Sequence, residues 1–218
     1  LKCSFRRCEK LLSEFGMKVP TYSALCKMRK RIPVWIWNSL LKLTSGFIHN
    51  SVAVDSTGFS RTNPSFHYVK RINSKKPVKR FAKLSAFFDL SSGKFCALRT
   101  RVKPRHDIKD VGYLLRTSLP TAKLFGDSAY DAESLHEICF AKQIQTVIKP
   151  RKNVKRGVYR RKQMKGYSEE VYHQRSKIEA GFGSLKRKYG SSVSGKTWRS
   201  VNCEIYCKAI AHNLNLFC

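Results

Sequence analysis

The apolar positions of the chain change period near residue 51. Before it they recur at helical spacing, as Leu11, Leu12 and Phe15 and then as Trp35, Trp37, Leu40 and Leu41. That spacing predicts amphipathic helices. Pro20 and Pro33 interrupt the pattern and Gly46 ends it, as helix breakers do. From Ser51 the runs shorten. Val52-Ala53-Val54 predicts a buried strand that ends at Asp55 and runs into a loop at Ser56-Thr57-Gly58. Residues 60–80 are polar and basic and predict a loop. Two further strands, Leu84–Leu90 and Lys94–Leu98, flank a hairpin turn at Ser91-Ser92-Gly93. His106–Leu115 then predicts a helix, Ala122–Phe125 a strand, Asp131–Lys142 a helix and Gln145–Ile148 a strand, with helices after it.

Three strands joined by short links pair antiparallel, and strands reached through helices add by crossover. The order therefore resembles a ribonuclease-H-like α/β domain, a mixed sheet flanked by helices over residues 51–218. Residues 1–50 form a basic helical lead-in. Because the first residue is Leu, this lead-in is expected to be the remnant of a longer N-terminal region.

Charge narrows the function. The 218 residues hold 44 Lys plus Arg against 14 Asp plus Glu, a net charge of +30. Such a surface is foreign to most metabolic enzymes and calls for a polyanion, foremost nucleic acid. Lys75–Lys83 and Lys149–Lys165 concentrate the cations; the second run contains nine Lys or Arg and no acid. Lys152, Arg156, Arg160 and Arg161 are accordingly expected on a DNA backbone. The apolar run near Ile32–Leu41 is too short to cross a bilayer, no secretory leader is visible, and no glycine loop for nucleotide phosphates is present. A cytoplasmic, nucleoid-associated chain without membrane or nucleotide partner is expected. The eight cysteines contain no C-x-x-C pair, which predicts buried free thiols. Cys203, Cys207 and His212 form a weak candidate metal cluster that lacks a fourth ligand.

With acids so scarce, those inside apolar strings stand out. Asp55 and Asp127 each follow a predicted strand, and carboxylates at neighbouring strand ends can hold a hard divalent cation. Either one alone is better read as a turn cap. Asp89 at the hairpin is read as structural, and Asp107 as a helix N-cap; His106 is expected near the metal site. The third candidate lies on a helix that starts at Ser168-Glu169-Glu170 and stops at Lys186-Arg187-Lys188 and Gly190. Tyr172, Glu179 and Lys186 are seven apart, each step turning only about 20° around the helix. Arg175 is one turn before Glu179. A plain surface salt bridge would explain Arg175 and Glu179, but not Gly181 and Gly183. Each glycine costs about 1 kcal/mol inside a helix, which points to a close approach there.

The spacing Tyr172-x2-Arg175-x3-Glu179-x6-Lys186 resembles the Tyr-x2-Arg-x3-Glu-x6-Lys signature of DDE transposases in the insertion sequence four superfamily. Asp127-Ser128-Ala129-Tyr130 resembles that family's Asp-x-Gly-Tyr/Phe motif, with Ala129 in place of Gly. Asp55 is similar to its first, strand-end Asp. Tyr22-Ser23-Ala24-Leu25 resembles a stretch found in the insertion sequence five group. The resemblance implies that Asp55, Asp127 and Glu179 are catalytic and bind two Mg²⁺ or Mn²⁺ ions. It implies hydrolysis at transposon ends and strand transfer into target DNA, with a homodimer in the DNA complex. It also implies that Tyr172, Arg175 and Lys186 contact DNA beside the cleaved bond. The rival readings are a catalytically inactive nucleic-acid-binding remnant and another nuclease of the same fold, such as a junction resolvase.

Overall fold

Val52-Ala53-Val54 lies within β1 (His49–Arg61), the central strand of a mixed sheet. The computed structural model describes residues 4–46, 49–61, 81–103, 105–119, 121–152, 156–195 and 197–216. β2 (Phe81–Asp89) and β3 (Phe95–Arg101) continue antiparallel on one side of β1. β4 (Thr121–Gly126) and β5 (Gln145–Ile148) run parallel on the other. The strand order is β3-β2-β1-β4-β5, with the short β6 (Ser192–Val193) beside the end of β1. Parallel neighbours need crossovers, supplied by α4 (Ile108–Thr117) before β4 and α5 (Glu133–Ala141) before β5. This is the mixed sheet flanked by helices that the order of elements predicts.

The strand holding Asp55 is longer than its apolar run suggests. Ser56, Thr57 and Gly58 stay extended because they pair with Ser85, Leu84 and Lys83 of β2. Asp55 therefore lies mid-strand, not at a strand end, and residues 60–61 of the predicted loop continue the strand. Most of that loop lies outside the described residues.

Alternation along β1 divides the core into two layers. Val52 and Val54 join Leu114, Leu124, Tyr130 and Leu135 beneath α4 and α5. Ala53 and Phe59 join Phe88, Ile178, Leu185 and Ile205 on the opposite face. That face is covered by α8 (Ser176–Tyr189) and α9 (Trp198–Leu214). Asp55 and Thr57 share the parity of Ala53 and Phe59, so β1 aims them at α8. The lead-in forms α1 (Phe5–Glu14), α2 (Tyr22–Arg31) and α3 (Val34–Ser45), and α3 buries Trp37 and Leu41 in the second layer.

The helix predicted from Ser168 to Gly190 is a composite. α7 (Glu169–Tyr172) passes through a 3-10 turn at His173–Arg175 into α8. Ser168 stands at the N-cap position without a capping hydrogen bond from its side chain. Gly190 stops α8 at φ 87°, a left-handed conformation that favours glycine. Gly181 meets the expected close approach, since a Cβ there would lie 2.5 Å from the Phe88 ring. Gly183 does not: its Cβ would meet nothing within 4 Å.

Candidate active site

The parallel register brings the first two carboxylates together. Ala53 of β1 lies opposite Phe125 of β4, and Asp55 and Asp127 each follow two residues later. Asp127 caps the 3-10 turn Ser128–Tyr130, its Oδ1 accepting the Ala129 N–H at 2.9 Å. Gln143 is the one non-glycine residue with positive φ among the described residues. Ala129 thus keeps ordinary backbone angles, and the turn does not need the usual Gly there. Tyr130 is fully buried beneath the turn.

Glu179 enters from the first turn of α8, and Arg175 joins all three acids. Its Nη1 donates to Glu179 Oε1 at 2.8 Å, and its Nη2 donates to Asp55 Oδ2 at 3.1 Å. The same Nη2 stands 3.8 Å from Asp127 Oδ2. A salt bridge confined to one helix face would not reach a carboxylate 120 residues away. The side chains of Arg175 and Asp55 are 15% and 17% exposed, whereas Asp127 and Glu179 open to solvent at 36% and 58%. The cluster is rooted in the protein on one side and accessible on the other.

One cation serving three acids leaves the cluster short of positive charge. Burial raises the Asp55 pKa, and the negative charges of Asp127 and Glu179 add to it; the Ser56 N–H and Arg175 oppose the shift. Burial lowers the Arg175 pKa, but Asp55, Tyr172, Asp127 and Glu179 outweigh it and raise it above the ordinary value. Oxygen donors with surplus negative charge are the chemistry that a hard divalent ion requires. Among the described residues no three His, Cys, Asp or Glu side chains stand close enough to share one ion. Here the Arg175 guanidinium stands between the acids, and the three carboxylates are the oxygen-donor type that a hard divalent cation takes.

Lys186, the last member of the signature, faces β1. Lys186 Nζ donates to Thr57 Oγ1 at 2.6 Å and lies over the Phe59 ring. Tyr172 lies within electrostatic reach of Arg175, and Lys149 Nζ stands 5.9 Å from the centroid of its ring. Lys152, Arg156 and Arg161 of the basic run are exposed.

Arg160 departs from the expectation of a DNA-facing cation. It is 6% exposed, in α6 (Val158–Met164), and its Nε and Nη2 fork onto Asp131 at 2.7 and 2.8 Å. Lys83 is likewise committed, bridging to Asp107 and Asp110. Asp107 stands at the N-cap position of α4 but makes no capping hydrogen bond; the ion pair with Lys83 takes its place. Asp89 is structural as expected, held by His49, Ser91 and Ser92. His106 lines a cavity of about 530 Å³ with Arg105, Asp107, Ala129 and Arg151, beside the Asp127 turn. Residues 75–80 of the first basic run lie outside the described residues.

Cys96, Cys139 and Cys203 are buried free thiols, as predicted, while Cys207 is exposed. His212 turns its ring to the Gly93 carbonyl at 3.1 Å, and no metal cluster forms with the two cysteines. Among the described residues no helix is long and apolar enough to cross a membrane.

Two residues bearing on the site escaped the sequence reading. Arg151 looked like one more cation of a basic run, and Asp131 like the first residue of a helix. The scarcity of acids, which singled out Asp55 and Asp127, applied equally to Asp131.

No curated protein matches the chain. A family model described as the transposase DDE domain matches residues 47–214, a span that contains Asp55, Asp127, Glu179 and the sheet that gathers them. The chain therefore belongs to the DDE-domain transposases, enzymes of DNA transposition that act on phosphodiester bonds with divalent metal ions.

Proposed function

We propose that this transposase hydrolyses phosphodiester bonds at the ends of a mobile element and joins the freed 3′-hydroxyl to target DNA, as a homodimer on paired ends. The observation that carries this reading is the meeting of Asp55, Asp127 and Glu179 around Arg175. These three carboxylates would hold two Mg²⁺ or Mn²⁺ ions. Bound there, such ions supply Lewis acidity to phosphodiester cleavage and transfer. The Tyr172, Arg175, Glu179 and Lys186 spacing supports membership of the insertion sequence four superfamily, near the insertion sequence five group.

The protein's own groups have distinct tasks. Asp55, rooted in β1, is the least exposed carboxylate. Glu179 is the most exposed, and it opens the side from which a DNA strand arrives. Arg175 neutralises the acids in the free protein and is the group best placed to turn to a phosphate, which a guanidinium grips with two parallel hydrogen bonds. Tyr172 backs that guanidinium. Lys152, Arg156 and Arg161 add backbone contacts beyond the site.

The test uses a supercoiled plasmid carrying the gene with its flanking DNA. Purified protein with Mg²⁺ is expected to nick it at the element's ends, and Asp127→Asn to abolish nicking while DNA binding persists. Nicking by that variant near the wild-type rate would remove Asp127 from the reaction. Nicking of branched DNA in preference to element ends would favour a resolvase.

A further inference from the structure

Asp127 Oδ1 takes its hydrogen bond from a single peptide group, while Oδ2 faces Arg175. The N–H of the Ser128–Ala129 peptide, on Ala129, donates to Asp127 Oδ1 at 2.9 Å. The carbonyl of the same peptide, on Ser128, accepts Arg151 Nε at 2.8 Å. Arg151 Nη2 donates to the next carbonyl, that of Ala129, at 3.0 Å. A peptide group is planar and rigid, so a cation that fixes its oxygen also fixes the direction of its N–H. Hydrogen bonds in series polarise one another, so the guanidinium also makes that N–H a stronger donor to the carboxylate.

Arg151 is in turn anchored. Its backbone N–H donates to Asp131 Oδ2 at 2.8 Å. Asp131 is buried beneath the Arg160 fork, and His136 meets its Oδ1 at 3.1 Å. The His136 ring reaches on to Thr146 of β5 at 2.9 Å. The chain of contacts runs from the sheet through Asp131 to Arg151, then through one peptide to Asp127.

We propose that Arg151 is a positioning residue for Asp127. It fixes the carboxylate through the Ser128–Ala129 peptide and does not grip DNA, although it lies in the basic run. The inference rests on the assignment of Asp127 to the metal site.

The experiment compares Arg151→Ala, Arg151→Lys and Asp127→Asn with the wild-type chain. It reads residue-resolved amide exchange at Ala129, Mn²⁺ binding without DNA, nicking of bound plasmid, and the salt dependence of DNA binding. Arg151→Ala is expected to speed exchange at Ala129 and to weaken Mn²⁺ binding about tenfold or more, the usual effect of losing a group that orients a ligand. Nicking should slow while the salt slope stays unchanged. Arg151→Lys can reach one carbonyl but not both in a fork and should recover part of each loss. A lowered melting temperature alone cannot produce that pattern, and if the Ala variant does not fold, the Lys variant carries the same readouts.

A salt slope reduced by about 0.9, with exchange and Mn²⁺ binding unaltered, would make Arg151 a phosphate contact and overturn the proposal. Loss of Mn²⁺ binding in Asp127→Asn but not in Arg151→Ala overturns the positioning role alone. Unchanged Mn²⁺ binding in both overturns the metal assignment itself.

Discussion

Two arginine–carboxylate clusters flank the Asp127 turn, and they are built in opposite senses. Around Asp131, one buried carboxylate receives the Arg160 fork, the Arg151 N–H and His136. Around Arg175, one guanidinium is divided among Asp55, Asp127 and Glu179. The first cluster meets its acid with enough partners to fill both oxygens and is closed to solvent. The second has more acids than its cation can satisfy and opens outward. A charge-satisfied buried cluster has nothing left to bind, whereas an acid-rich open one still attracts a cation. Residue type alone would not separate the two; the ratio of partners does.

The same substitution made four residues apart breaks the comparison most sharply. Asp131→Asn removes the charge opposite a buried guanidinium, a loss of about 3–5 kcal/mol. Asp127→Asn should leave stability within about 0.5 kcal/mol while abolishing nicking. Denaturant titration of the two variants checks this, and equal stabilities would mean that the Asp131 cluster is not a closed structural unit.

Arg175→Ala should move two readouts in opposite directions. Nicking should fall on the order of a hundredfold if the guanidinium sets the strand to within about 1 Å. Mn²⁺ binding to the DNA-free protein should strengthen, because three acids then lack their internal cation. Arg175→Lys keeps the charge without the fork and should fall between. A loss of stability with nicking intact would reduce Arg175 to a structural ion pair.

How much of this was legible in the sequence follows from how far each interaction reaches along the chain. The hairpin at Ser91-Ser92-Gly93 and the strand at Gln145–Ile148 are local and were read correctly. The extension of β1 beyond Asp55 was not, because Ser56-Thr57-Gly58 has turn composition and becomes strand only through pairing with β2. The three acids could be named individually from scarcity and motif spacing. Their shared dependence on Arg175 could not, since it joins residues 120 positions apart. Arg160 was misassigned for the same reason: its partner Asp131 is 29 residues earlier and on another element.

Acid separates the clusters more gently. Burial works against the Asp131 charge, but Arg160, the Arg151 N–H and His136 outweigh it and hold its pKa below the ordinary 3.8. Asp89 is lowered in the same way by His49, Ser91 and Ser92 against its burial. A lowered folded pKa means that the unfolded chain binds the proton more readily. The stability these groups contribute is thus complete above the ordinary value and is lost as pH falls below it, toward the folded pKa. The melting temperature of the wild type should drop through that window, and Asp131→Asn, already without the contribution, should drop less. Parallel curves for the two proteins would show that the cluster does not retain its carboxylate charge in acid.

The smallest effects are expected at two glycines of α8, where the contrast between a filled and an open position recurs within one helix. Gly181 is pressed against Phe88, and a Cβ there would lie 2.5 Å from the ring. Gly181→Ala should therefore cost about 1–3 kcal/mol, as overpacking does. It should also disturb Glu179 by pushing α8 away from the sheet. Gly183 has nothing within 4 Å of its Cβ position, yet it retains the helix penalty of about 1 kcal/mol relative to Ala. It follows Glu179 by one turn, so it flanks the face on which a strand would meet Arg175. Gly183→Ala should raise the melting temperature and yet slow nicking, because the added methyl narrows a path that only DNA fills. Stabilisation with nicking unchanged would show that this glycine keeps no space for DNA, leaving Gly181 as the one glycine of the helix that a close contact requires.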